Sequence, residues 1–143
     1  MASPNPLTHR HAYDQSQLSR YLSHISLTNS ALSTSSDAFL QSCLSSPLES
    51  LTTLLRHQLS TISFDSLVLH YTQHHSVSLH EETLFEKIVG AGEKGLSNRG
   101  GYCMENNTFF AAVLRGLGFK VLTTGARVSN AANGNFDGGF LGW

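Results

Sequence analysis

Cysteine is scarce, with Cys43 and Cys103 the two thiols among 143 residues. Their separation fits no zinc-ligand spacing and one bridge between them would not make a disulfide framework, so both read as reduced thiols. Charge is scarce as well. Thirteen per cent of residues are charged and the formal net charge is -1, which leaves no basic face for nucleic acid and no polybasic membrane anchor. Nowhere is there a run of about eighteen apolar residues. The opening Met-Ala-Ser-Pro-Asn-Pro has no apolar h-region of a secretory signal. These absences exclude nucleic acid and membrane as expected partners, and the cytoplasm is the default compartment.

Against this background one stretch stands out, Arg99-Gly100-Gly101-Tyr102-Cys103-Met104-Glu105-Asn106-Asn107. Phe109, Phe110, Val113, Leu114 and Leu117 follow at three- and four-residue spacing, which predicts a helix, and Gly118 suits its left-handed cap. Cys103 then falls at the helix start. A thiol there sits beside backbone N–H groups without intrahelical partners, and the dipole favours the thiolate. The arrangement is that of a cysteine nucleophile, which needs a histidine base and a third group to orient it. A cysteine on an apolar helix is otherwise a small core residue. That is the reading given to Cys43, on a short helix with Phe39, Leu40 and Leu44 that Asp37 caps.

The rest of the chain reads as helices and joints. Leu18, Tyr21, Leu22 and Ile25 predict a helix over 13–25. Ser46-Pro47-Leu48-Glu49 looks like a capping box in which Ser46 accepts from the third helical N–H, and Leu48, Leu51, Leu54, Leu55 and Leu59 are the expected core face. Residues 60–77 read as a turn and an extended segment. Ser78-Leu79-His80-Glu81 offers another capping box, opening a helix with Leu84, Phe85, Ile88 and Val89 inward. Phe119 to Thr124 suits a strand, and Ala126 to Val128 a second. His57, His70, His74, His75 and His80 invite a zinc reading, but the segment looks extended and no Cys or Asp lies among the four from His70 to His80, so no metal site is expected. The Gly-Ala-Gly-Glu-Lys-Gly run lacks the ending and the preceding strand of a phosphate loop.

Arg-Gly-Gly-Tyr-Cys-Met-Glu-Asn-Asn resembles the active-site motif of the arylamine N-acetyltransferases. Ser63-Phe64-Asp65-Ser66-Leu67, Leu84-Phe85-Glu86-Lys87-Ile88-Val89, Leu117-Gly118-Phe119 and Gly125-Ala126-Arg127-Val128 are similar to further family segments. The resemblance implies an α+β fold with a cysteine-proteinase-like core. Residues 1–11 would be a disordered lead-in, 12–118 a helical bundle carrying the cysteine, and 119–143 the first strands and loop of a β-barrel.

It also implies chemistry. Cys103 would be the catalytic thioester carrier, taking an acetyl or other acyl group from acyl-CoA and passing it to a small aromatic amine or hydrazine by a ping-pong route. Acetyl-CoA would be a cosubstrate, with no bound cofactor. Val128 would line the amine pocket, and Arg99, Gly100, Gly101, Glu105 and Asn107 would support the motif. Gly138-Gly139-Phe140-Leu141-Gly142-Trp143 resembles the approach to the family's catalytic histidine. All eight histidines precede Cys103, so the chain is expected to stop short of that residue and to be inactive alone. Two alternatives stay open: a papain-like or transglutaminase-like thiol enzyme, and a non-catalytic fragment.

Overall fold

The computed structural model of the chain describes residues 10–27, 36–90 and 99–125. Six helices lie among them: α1 Gln15–His24, α2 Ser36–Ser45, α3 Pro47–Thr61, α4 Leu67–Tyr71, α5 Glu81–Ile88 and α6 Cys103–Gly116. Among the described residues there is no strand, and none of the helices is long and apolar enough to cross a membrane.

Helix α1 begins at Asp14, whose carboxylate accepts from Gln17 N at 2.9 Å while Gln17 Oε1 accepts from Asp14 N at 3.0 Å. This reciprocal cap satisfies two orphan donors and fixes where the helix starts. The phase that follows buries Leu18, Tyr21 and Leu22. On α6 the matching inward residues are Phe109, Ala112 and Val113, and on α5 they are Leu84, Phe85 and Ile88. Tyr13 joins these layers. Its ring lies 5.0 Å from that of Phe85 and 5.5 Å from that of Phe109, and its hydroxyl donates to Glu81 O at 2.7 Å. Burying each such aromatic side chain stabilises the fold by roughly 1.5–3 kcal/mol. Helix α5 packs on α6, α2 on α3, and α1 against α2 and α6. Cys43 is buried in this core, as expected, and burial pushes its thiol pKa up against an opposing hydrogen bond from Ser50.

Several local expectations are corrected. Helix α3 turns Ser50, Leu54 and Gln58 inward, while Leu48 (78% exposed), Leu59 (72%) and, less completely, Leu55 face out. The reason is hydrogen bonding. Gln58 Oε1 accepts from the buried Tyr21 hydroxyl at 2.8 Å, and Ser50 Oγ meets Ser42 Oγ at 3.2 Å. With α3 turned the other way the buried Tyr21 hydroxyl would lose its partner, at a cost of about 1–3 kcal/mol. Leu44 on α2 is likewise outside.

Ser46 precedes α3 without a side-chain cap, at φ -136° and ψ 67°. Ser78 Oγ accepts from His80 N at 3.3 Å, so His80 and not Ser78 holds the cap position of α5. Residues 67–71 are helical where an extended segment was expected, because Asp65 Oδ1 accepts from Leu67 N at 2.8 Å and starts a turn. After α6, Gly118 takes the left-handed cap at φ +90° and Phe119 N donates back to Leu114 O at 2.9 Å. Residues 119–125 then run on without forming the expected strand. A strand is defined by a partner that takes its alternate N–H and C=O groups, and none of the described residues supplies one.

Candidate active site

The glycines deliver Cys103 by a close backbone approach. Gly101 N donates to Ser63 O at 3.2 Å and Asp65 N donates to Gly101 O at 3.0 Å, a parallel bridge between Phe64 and Gly101. A Cβ added at Gly100 would stand 1.9 Å from Ser63 O, so that position admits no side chain unless the backbone moves. The bridge stacks Phe64 near Tyr102, ring centroids 5.5 Å apart. Tyr102 is extended, at φ -65° and ψ 161°, and the helix begins at the next residue. Cys103 is therefore the first helical residue, with its side chain exposed.

Two charged pairs hold this turn. Arg99 reaches Asp65 Oδ2 at 3.3 Å, partly exposed. Glu105 is 2% exposed, takes both carboxylate contacts from Lys87 Nζ at 2.9 Å, and accepts from Tyr102 N at 2.9 Å. A buried carboxylate is tolerable only when so paired and hydrogen-bonded.

Arg99, Gly100, Gly101, Glu105 and Cys103 are thus brought together. Asn107 is not part of the brace. It lies exposed on α6 beside an open groove of about 560 Å³, with Met104, Phe110, Leu114 and Leu122 also on its walls. The asparagine that braces is its neighbour. Asn106 Nδ2 donates to Gly101 O at 2.9 Å and, longer, to Ser63 O at 3.5 Å. Val128 lies outside the described residues.

Sequence reasoning passed over Lys87 as a site residue. The signal was available, because Glu105 sits four residues before Phe109 on the buried face of α6, and an acid there requires a cation. Among the described residues no histidine hydrogen-bonds Cys103. His57 Nδ1 lies 2.9 Å from Ile25 O and His75 Nδ1 2.7 Å from Leu69 O. Among the described residues no three His, Cys, Asp or Glu side chains are grouped to hold a metal ion.

An exposed thiol thus stands on the first residue of α6, behind a glycine pair pinned to residues 63–65. Residues 47–138 match the N-acetyltransferase family, and the chain belongs to that family, the arylamine N-acetyltransferases and their relatives. It is 37% identical over 121 residues to an N-malonyltransferase of Fusarium pseudograminearum, covering 83% of this chain and 34% of that protein. It is 42% identical over 78 residues to an N-malonyltransferase of Gibberella moniliformis, covering 54% of this chain and 21% of that protein. With the pineal gland arylamine N-acetyltransferase isozyme NAT-10 of Gallus gallus it shares 35% over 83 residues, 58% of this chain and 26% of that one. The chain thus spans about a third or less of the length of these relatives.

Proposed function

We propose that the protein is an N-acyltransferase that carries its acyl group as a thioester on Cys103. The thiolate attacks the carbonyl carbon of an acyl-CoA, the bond from that carbon to the CoA sulfur breaks, and CoA leaves as a thiolate that takes up a proton. An amine nitrogen then attacks the Cys103 thioester. It loses a proton, the new amide departs, and Cys103 is released as the thiolate. The unpaired N–H groups at the start of α6 favour the negative sulfur at both ends of this cycle. The observation that carries the reading is the placement of Cys103, exposed at the helix start and braced from both sides.

The acceptor class is an arylamine or arylhydrazine, after the family, and the donor is acetyl-CoA or malonyl-CoA. Malonyl-CoA is the second reading, favoured by the chain's similarity to two N-malonyltransferases. No bound cofactor enters the cycle, and a cytoplasmic setting suits a CoA thioester donor. In this reading residues 119–125 lead into the family's β-barrel.

The test is intact-mass analysis of the chain mixed with each acyl-CoA, followed by peptide mapping. Slow acylation confined to Cys103, absent in Cys103→Ala and matched by free CoA, is the expected result, without sustained transfer to an amine by this chain alone. Label that persists in Cys103→Ala would refute the assignment.

A further inference from the structure

Lys87 touches the segment that carries Cys103 at both of its ends. Its backbone oxygen accepts from Arg99 N at 3.3 Å, where the segment enters. Its Nζ holds both oxygens of Glu105 at 2.9 Å, two residues past the thiol. Glu105 in turn accepts from Tyr102 N, the residue immediately before Cys103. The lysine side chain is 14% exposed and the Glu105 side chain 3%, so water competes little for either group. Lys87 stands on α5, a helix anchored in the core by Leu84, Phe85 and Ile88, and its position is therefore set independently of the segment it grips.

We propose that Lys87 is the positioning residue for Cys103, fixing residues 99–105 so that the thiol stays on the first turn of α6. The inference deepens the reading of Cys103 as nucleophile and rests on it. Without the ammonium, the Glu105 carboxylate faces its burial unpaired and is drawn away from Tyr102 N. The first turn of α6 then frays, and the sulfur loses the N–H groups that favour its negative form, while an uncompensated carboxylate two residues away opposes it. Arg99 does not substitute, since its guanidinium is committed to Asp65 on the other side of the turn.

The experiment labels the chain with iodoacetamide at pH 7 and follows the two tryptic peptides, 21–56 with Cys43 and 100–115 with Cys103, by mass spectrometry. In Lys87→Met the Cys103 peptide labels more slowly by about tenfold, the Cys43 peptide stays protected, and Lys87→Arg restores the rate to within about threefold. Should Lys87→Met fail to fold, Lys87→Gln, polar but uncharged, is read in its place, and the same slowing is expected. Unchanged Cys103 labelling in a folded Lys87→Met or Lys87→Gln would overturn the proposal. Iodoacetamide asks nothing of acyl-CoA, so a chain that shows the lysine effect yet takes no acyl group would sink the acyltransferase reading alone.

Discussion

Asp65 joins two ends of the site to one carboxylate, its Oδ2 3.3 Å from the Arg99 guanidinium and its Oδ1 2.8 Å from Leu67 N. One oxygen restrains the approach to Cys103 and the other starts α4. Asp65→Ala should therefore destabilise by about 1–2 kcal/mol, combining a modest, partly exposed ion pair with the loss of a capping acceptor. Urea denaturation checks the sum. A double-mutant cycle with Arg99→Ala should assign about 1 kcal/mol or less to the pair itself.

Gly100→Ala should be costlier than a one-carbon change suggests. The added carbon would meet Ser63 O at 1.9 Å and Ser63 C at 2.6 Å, both backbone atoms, so no swing of a side chain relieves the clash. A loss of about 1–3 kcal/mol is expected, with faster amide exchange at Gly101 and Asp65 as the bridge opens. Unchanged exchange at both amides would contradict this geometry.

Helix α3 gives a test of its own orientation. Leu48→Gln and Leu59→Gln should each change stability by about 0.5 kcal/mol or less, since both side chains already face solvent. Leu54→Ala, at the fully buried position between Ser50 and Gln58, should cost roughly 2–5 kcal/mol. If Leu48 or Leu59 proved as sensitive as Leu54, the helix would be rotated from the orientation described.

Stability should fall on both sides of neutrality. Burial raises the pKa of the Tyr21 hydroxyl, and burial with the nearby Glu82 and Glu81 charges raises that of Tyr13. Each contributes stability that is complete below the unfolded tyrosine value of about 10 and is lost as pH rises beyond it. Cys43, raised by burial, acts in the same sense from about pH 8.5 upward. His24 has the opposite sign. Burial lowers its pKa, so its contribution is present above about 6.5 and fades as pH falls. Urea midpoints measured from pH 5 to 11 should show a plateau near pH 7–8. Tyr21→Phe should flatten the alkaline limb while costing about 1–3 kcal/mol at pH 7, because Gln58 Oε1 is left buried without its donor.

The parts legible in the sequence were those that short-range physics decides. The spacing of Phe109, Val113 and Leu117 with a glycine behind them located α6, and the helix start placed Cys103. Helix α1 and the inward face of α5 followed from the same periodicity. The leucines of α3 misled because counting apolar residues ignores Gln58 and Ser50, whose partners Tyr21 and Ser42 belong to other helices and are invisible to a local window. Lys87 escaped for the same reason. Its role depends on a carboxylate eighteen positions away, although an acid on the buried face of α6 pointed to some such cation. The strand expected over 119–124 rested on composition, and composition cannot supply a pairing partner.

One oxygen of Ser63 accepts from Gly101 N, lies at the end of the long Asn106 Nδ2 contact, and bars a side chain from position 100. Because it is a main-chain atom, no single-base change can remove it. This contact asks no particular side chain of residue 63, and Ser63→Ala should be nearly silent in stability and in Cys103 labelling. For this one contact the mutational constraint falls on the other side, at residues 100, 101 and 106. Its docking face is fixed by the polymer itself, and heritable variation reaches it through the segment 100–106 that docks on it.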